Sequence, residues 1–518
     1  MKLNFETYKD KVYACWIGKN IGGTMGAPYE GVRSTLDIKG FATKPKEVLP
    51  NDDLDLQLVW LHAIEQEGPK KITAELLGDY WLSYLVAYCG EYGVARKNME
   101  RGVTPPLCGD SKNNNVLKTS NGAWIRTEVW ATLAPASPDL AVRYAIEDSK
   151  VDHGVEEGTY AAMFVAAVES AAFVVSDVRK LVEIGLAKIP AECRMARSIR
   201  LLLKCYDEGK TWLEARNAVF EENADIGDGW FQAPSNVSYA MLGILYGEGD
   251  FKKSMLTAIN CGDDTDCTAA TVGSILGIMN GTAGIPKDWS EYIGDDIITL
   301  FINGCVSLPV PANCTDLTAR VVKLAPFVLY ANRASFGTVV ELVDGETEVS
   351  QKELDIFPLP YGQSEESDLM RRSVASLKPH TFTVDCGCVT AIVTVENGSD
   401  VRANEEKKLT VSFINNVKAY GNQPHNVRVG LSLPEGWIAE ETDFEVYVSD
   451  WRSLTRSTCQ SIPVTLTVKA PESIPSVNEI GLTFAVCGRY KKTYAPIVLL
   501  NRLSHDVYIY PEKFNRYF

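Results

Sequence analysis

No uninterrupted apolar stretch in this chain approaches the roughly 20 residues that span a bilayer. The opening MKLNFETYKDKVYACW also lacks the apolar core of a secretory signal. A cytoplasmic protein with no membrane partner is expected. Basic residues are scarce: 51 Lys and Arg face 67 Asp and Glu, for a net charge of −16. That balance excludes a general grip on phosphate backbones, so nucleic acid is not an expected partner. The thirteen cysteines follow no regular spacing, and Cys386 and Cys388 make only C-G-C. Reduced thiols are expected rather than a disulfide framework or a structural zinc. What is present is the composition of a globular protein, 46% apolar and 23% charged, over 518 residues. That length exceeds one ordinary core and implies a multidomain chain.

The character of the chain changes once. Residues 1–335 read as all-α, because LQLVWLHAIEQ, AAMFVAAVESAAFVV, VSYAMLGILYG and CTAATVGSILGIMNG are rich in Ala, Leu and Met and too long for strands. Their broad apolar faces suit helices buried in several layers. Residues 336–374, with VVELVDGETEV and FPLPYGQSEESD, read as a connector holding one or two strands. Residues 375–518 carry short β-branched runs bounded by Gly, Pro and Asn: TFTVDCG, VTAIVTVEN, KKLTVSFIN, VRVGLSLPEGW, FEVYVSD, SIPVTLTVKAP, EIGLTFAVCG and APIVLL. Period-two alternation of this kind predicts a β-sandwich, with Trp437 as a packing residue.

Two acidic clusters precede apolar helical runs. In NCGDDTDCTAATVGSILG, Asp263, Asp264 and Asp266 stand with no Lys or Arg between Lys253 and Lys287. In NDDLDLQLVWLHAIEQ, Asn51, Asp52, Asp53 and Asp55 stand with none between Lys46 and Lys70. One Asp is an ordinary N-cap. A helix N-terminus rewards a negative charge by about 0.3 to 1 kcal/mol. Two like charges about 4 Å apart repel by about 1 kcal/mol in water and about 4 at an effective dielectric of 20. A cation from elsewhere is therefore expected. Oxygen donors suit a hard ion such as Mg²⁺, Mn²⁺ or Ca²⁺ and disfavour zinc or copper. The spacing of Asp264 and Asp266 points them to different faces of a regular helix, so the ligands are expected just before helical geometry starts. Solvated N-caps with spare charge are the competing explanation.

Taken in order, GKNIGGTMGAPYEG, NDDLDLQ, SNGAWIRTEVW, VDHGVEEGTYAAMFVAAV and CGDDTDCTAATVGSILG resemble the ADP-ribosylglycohydrolase family over residues 8 to 330. The resemblance implies an all-α hydrolase with two Mg²⁺ ions, Mn²⁺ being the alternative, acting on a small-molecule or glycosidic conjugate. It implies metal contacts from Asn51, Asp52, Asp53, Asp264, Asp266 and Cys267, and a base from Glu30 or Asp53. Ser120, Asn121 and Gly122 match a loop near the substrate's phosphates or ribose, and His153 matches a pocket histidine. Gly18, Gly22, Gly23 and Gly26 are expected to allow close helix packing rather than to cradle phosphate. Trp124, Tyr239 and Trp230 receive no role.

Several positions depart from the family pattern. Asn51 stands for a Ser or Thr and still offers an oxygen, whereas Cys267 stands for a Thr and a thiol is a poor Mg²⁺ ligand. The hydroxyl role is then lost, passed to Thr268 or water, or the metal preference moves toward Mn²⁺. Leu54 stands for a Thr. Asp55 is an extra acid, either behind the metal ligands or exposed, and Asp263, in place of a glycine, is expected to cap the helix. KLTVSFINN, LSLPEGWIAE and SIPVTLTVKAP resemble Ig-like modules of carbohydrate-active enzymes. The expected chemistry is hydrolysis of an N- or O-glycosidic bond at the anomeric carbon of an ADP-ribosyl conjugate. The alternatives are hydrolysis of another sugar or nucleoside-like conjugate, or ADP-ribose or glycan binding without turnover.

Overall fold

A computed structural model describes residues 1–501 apart from 110–113, 115, 116, 155, 228, 303–307, 334–338, 360–380, 397, 399, 417–422, 450–460 and 476. Both domain boundaries drawn from the sequence, and the acidic end of the connector, lie outside the described residues.

Sixteen α-helices occur among the described residues. They begin with α1 Phe5–Gly26, α2 Asp52–Glu67, α3 Ala74–Tyr84, α4 Gly90–Glu100, α5 Glu128–Leu133, α6 Pro138–Ser149, α7 Glu157–Ala171 and α8 Val178–Ala187. Then come α9 Arg194–Asp207, α10 Trp212–Asn223, α11 Ala233–Gly247, α12 Phe251–Asn260, α13 Thr265–Asn280, α14 Lys287–Ile293, α15 Cys314–Asn332 and α16 Gln351–Asp355. The four runs singled out in the sequence fall on α2, α7, α11 and α13. Helix α13 is buried at every position from Thr265 to Met279, which is why its sequence shows a broad apolar face rather than a stripe. No helix among the described residues is long and apolar enough to cross a membrane.

Helix α1 lies against α13 with backbone touching backbone. A Cβ at Gly18 would sit 2.1 Å from the Gly273 oxygen, one at Gly22 2.2 Å from the Ala269 carbonyl carbon, and one at Gly26 2.3 Å from the Thr265 oxygen. A Cβ at Gly23 would meet Asn51 Nδ2 at 2.0 Å. The glycine beat of α1 thus brings the starts of α2 and α13 onto one helix. Gly22→Ala is expected to cost about 1–3 kcal/mol through overpacking, read as a lower denaturation midpoint. An unchanged midpoint would contradict this packing.

The sequence missed β1 (Lys2–Asn4), which pairs in parallel with β2 (Glu341–Val343) in the connector. Three residues are too few to display a period. It also missed α16, which starts with a capping box between Ser350 and Glu353. The helical core takes in Val340 and Phe357.

The eight β-branched runs become strands β3 Thr381–Asp385, β4 Val389–Val395, β6 Glu406–Asn415, β7 His425–Ser432, β9 Asp443–Val448, β10 Val464–Lys469, β11 Val477–Val486 and β12 Lys492–Asn501. Two-residue strands β5 Asp400–Val401 and β8 Ile438–Ala439 complete two sheets, ordered β3-β4-β6-β10-β8 and β5-β12-β11-β7-β9. Pairing is antiparallel except between β5 and β12. Alternate residues of β4 are buried, and Phe413 meets Phe484 of the other sheet edge to face, with centroids 5.5 Å apart. Trp437, Cys386 and Cys388 lie in this second core. The cysteines of the described residues are unpaired.

Candidate metal centre

The two acidic helix starts converge. Asp53, Asp266 and Cys267 bring one donor atom each to within 4.8 Å of one another, and so do Glu30, Asp264 and Asp266. Asp266 belongs to both groups. Asp52 lies outside both, yet its charge acts on Glu30, and that of Asp266 acts on Asp52.

The starts of the helices are not spent as caps in the way the sequence suggests. Asn51 caps α2, its side-chain oxygen accepting from Asp53 N–H at 2.8 Å. Asp52 and Asp53 lie inside the first turn of α2, as Asp266 does in α13, so of the four expected aspartate ligands Asp264 alone precedes its helix. Asp264 occupies the N-cap position without a side-chain capping bond. Its Oδ2 instead accepts from Asn121 Nδ2 at 2.5 Å. Asp263, expected to cap, turns away and binds Phe231 N–H and Asn236 Nδ2. Asp55 is not exposed: its Oδ2 accepts from the amides of Leu300 and Phe301, while its charge acts on Asp52.

Electrostatics tests whether these residues fit a cation. Oxygens Asp53 Oδ2, Asp264 Oδ1 and Asp266 Oδ1 are buried without a hydrogen-bond partner. Burial, then Asp266 and Asp52, pushes the Glu30 carboxyl up to about 9. Burial, then Asp266 and Asp55, pushes Asp52 up to about 7. Burial also raises Asp53, Asp264 and Asp266, with each other's charges adding to the first two. Carboxylates gathered in this way with bare oxygens could serve as the donor set of a hard cation. Glu30 sits on the exposed rim, and the aspartates lie below it.

Cys267 is raised by burial and by Asp264, Asp266 and Asp53, so its sulfur stays a thiol and donates to Asp53 Oδ1 at 3.3 Å. The hydroxyl of Thr268, the proposed substitute, donates to the Thr265 carbonyl within its own helix at 3.2 Å.

One basic residue does reach the cluster, and the sequence reading overlooked it. Lys19 of α1 is 1% exposed, and its ammonium stands 2.8 Å from Glu128 Oε1 and 3.8 Å from Asp53 Oδ2. Gln57 spans Glu128 Oε2 and the Asp53 carbonyl at 2.7 and 2.9 Å. The available signal was a lysine inside GKNIGG, a run otherwise fit for burial.

The Ser120 loop reaches the cluster through Asn121. Asn121 also accepts from Trp124 Nε1 at 3.0 Å, and Gly122 N–H donates to Glu91 Oε1 at 2.8 Å. Ser120 Oγ donates to Leu117 O at 2.5 Å and lies 3.2 Å from His153 Nε2. His153 is fully buried, with Nδ1 2.9 Å from Asp152. Trp124 and Tyr239 are also buried, whereas Trp230 is half-buried. Arg126 forks onto Asp152 at 2.8 and 2.9 Å. Burial alone would raise the Asp152 carboxyl, but Arg126 and then His153 outweigh it and hold it at about 2. A depressed carboxylate adds stability that is complete above its unfolded value, about 3.9, and is lost as pH falls through its folded value. Asp152→Asn is expected to flatten acid unfolding between about pH 4 and 2. An unaltered acid limb by circular dichroism would contradict this.

A family model described as ADP-ribosylglycohydrolase matches residues 4–309. Among curated proteins, "ADP-ribosylarginine hydrolase Tri1" of Pseudomonas putida (strain GB-1) is 23% identical over 205 residues, 40% of this chain and 50% of that protein. The chain thus spans about half the length of that relative. A solved structure described as "ADP-ribosylglycohydrolase-related protein complex" is 20% identical with a TM-score of 0.43, covering 62% of this chain and 99% of its own.

Proposed function

Because this chain belongs to the ADP-ribosylglycohydrolase family, we propose that it hydrolyses the N- or O-glycosidic bond at the anomeric carbon of an ADP-ribosyl conjugate, with two Mg²⁺ ions as cofactor. One observation carries the reading: two acidic helix starts, far apart in the chain, meet with bare carboxylate oxygens and share Asp266. Asp53 and Asp266 would hold one cation, and Asp264 and Asp266 the other, with Asp52 and Glu30 beside them. Two bound cations would polarise the sugar hydroxyls and offset charge developing in the oxocarbenium-like transition state.

Glu30, on the rim where water reaches it, would take the proton from the attacking water. Asp53 serves better as a ligand than as the base, because Lys19 and the Cys267 thiol hold it below the surface. The Asn51 side chain, its oxygen engaged at the start of α2, shapes that turn. Asn121 fixes Asp264, the Ser120–Gly122 segment forms the wall against which the conjugate rests, and the buried His153 supports that wall from behind through Ser120 Oγ. Excess EDTA is expected to abolish release of ADP-ribose from ADP-ribosyl-arginine or ADP-ribosyl-serine, and Mg²⁺ or Mn²⁺ to restore it. Full activity in EDTA would defeat this reading.

The two cores support a helical unit and a sheet-rich unit, read as a catalytic unit over 1–335 and an Ig-like β-sandwich over 375–518, with a connector over 336–374 that lends Val340 and Phe357 to the helical core. Those sheets lie outside the segment matched by the family, 4–309, and favour a second reading in which another sugar or nucleoside-like conjugate is cleaved. Release of sugar from an aryl glycoside, without ADP-ribose release, would select it.

A further inference from the structure

Asp263 holds a left-handed backbone, φ 69, where glycine is at ease and a side chain is strained. The side chain is nevertheless fully used. Its Oδ1 accepts from Phe231 N–H at 2.9 Å and its Oδ2 from Asn236 Nδ2 at 3.1 Å. Asn236 in turn accepts from Asp264 N–H at 3.3 Å, so the same small network reaches the metal acids. The backbone of Asp263 is also tied down, bonding Gly31 N–H and Val32 O. Phe231 is itself left-handed, φ 55, and with Trp230 forms a half-buried aromatic turn beside the cluster. The far side of that turn is stitched to the Ser120 loop through the Gln232 bridge and a bond from Gln232 Nε2 to Trp230 O at 2.8 Å.

A glycine at 263 would satisfy the backbone, leave Phe231 N–H without its acceptor and leave Asn236 Nδ2 only the Gln232 carbonyl at 3.2 Å. The carboxylate is therefore explained by what it holds, not by the turn it occupies. We propose that Asp263 is a positioning residue that locks the Trp230–Phe231 turn beside Asp264, and that this turn sets how tightly substrate is held. Cation binding and bond cleavage stay with its neighbours. The statement about substrate rests on the hydrolase reading above, whereas the statement about the turn does not.

Amide exchange on the full chain tests the clamp without any substitution: the Phe231 amide is expected to exchange at least about 100-fold slower than an unprotected amide. In Asp263→Gly that protection is expected to fall by about 10-fold or more. The same variant is expected to raise KM for ADP-ribosyl-arginine about 10-fold, with kcat and Mg²⁺ affinity by titration within about 3-fold. Asp263→Asn, which keeps an acceptor for Phe231 N–H, is expected to recover most of the protection and of the KM. An unprotected Phe231 amide in the wild type overturns the proposal even if the glycine variant fails to fold. An unchanged KM, or a kcat loss with KM unmoved, overturns it as well. Absence of ADP-ribose release by the wild type would defeat the hydrolase reading instead, and the exchange measurement would still decide the clamp.

Discussion

Asp266→Asn is expected to lower turnover by about 10³-fold or more, roughly 4 kcal/mol of transition-state stabilisation at 1.36 kcal/mol per decade. It is the largest single loss expected because Asp266 is common to both donor groups, so one substitution reaches both of the proposed cation positions. Stability separates this outcome from simple unfolding. Burial raises Asp266, and its charge raises Glu30, Asp52 and Asp264. Removing that charge should leave the metal-free chain as stable as the wild type or more so. What disappears is the gain on adding Mg²⁺, about 2.7 kcal/mol for a ligand at 100 times its Kd. A variant that keeps the full Mg²⁺ gain, or turns over within about 10-fold of wild type, would contradict the assignment of Asp266.

Lys19→Met is expected to be the most damaging change to stability, about 3–5 kcal/mol, because it strips the cation from buried carboxylates that remain. Glu128 accepts from Lys19, Gln57 and Ser274, and Asp53 lies beyond it; all are sealed from water. Burial alone would lower the Lys19 ammonium, but Glu128 and then Asp53 outweigh it and keep it charged. The double variant Lys19→Met with Glu128→Gln should recover a large part of the loss, since the amide can still accept from Gln57 or Ser274 without a bare charge. Denaturant midpoints of the two single variants and the double form a cycle. Additive losses would show that Lys19 and Glu128 do not act as a pair.

The two acidic starts were legible because they break a local rule: carboxylates without nearby basic residues ahead of apolar helices. The glycine beat was equally legible, and it proved to be the contact that joins α1 to α13. The cation of α1 was not. Lys19 reaches Glu128 across 109 residues of sequence, and nothing local distinguishes a lysine that will be buried from one that will be solvated. Asp263 reads as a cap because its type and place fit one, yet its bonds go to α11 and the turn before it. Of the two readings of Asp55, exposure fails for the same reason, its partners being the distant amides of Leu300 and Phe301. The strands were legible from alternation wherever they exceed four residues, and β1, β5 and β8 fell below that length.

The central claim is that the starts of α2 and α13 together hold two divalent cations. Calorimetric titration of the EDTA-stripped chain with Mg²⁺, repeated with Mn²⁺, tests it most directly. Two ions per chain are predicted for the wild type, and neither tight site in Asp266→Asn. Binding of no ion by the wild type, or an unchanged isotherm in the variant, would contradict the account.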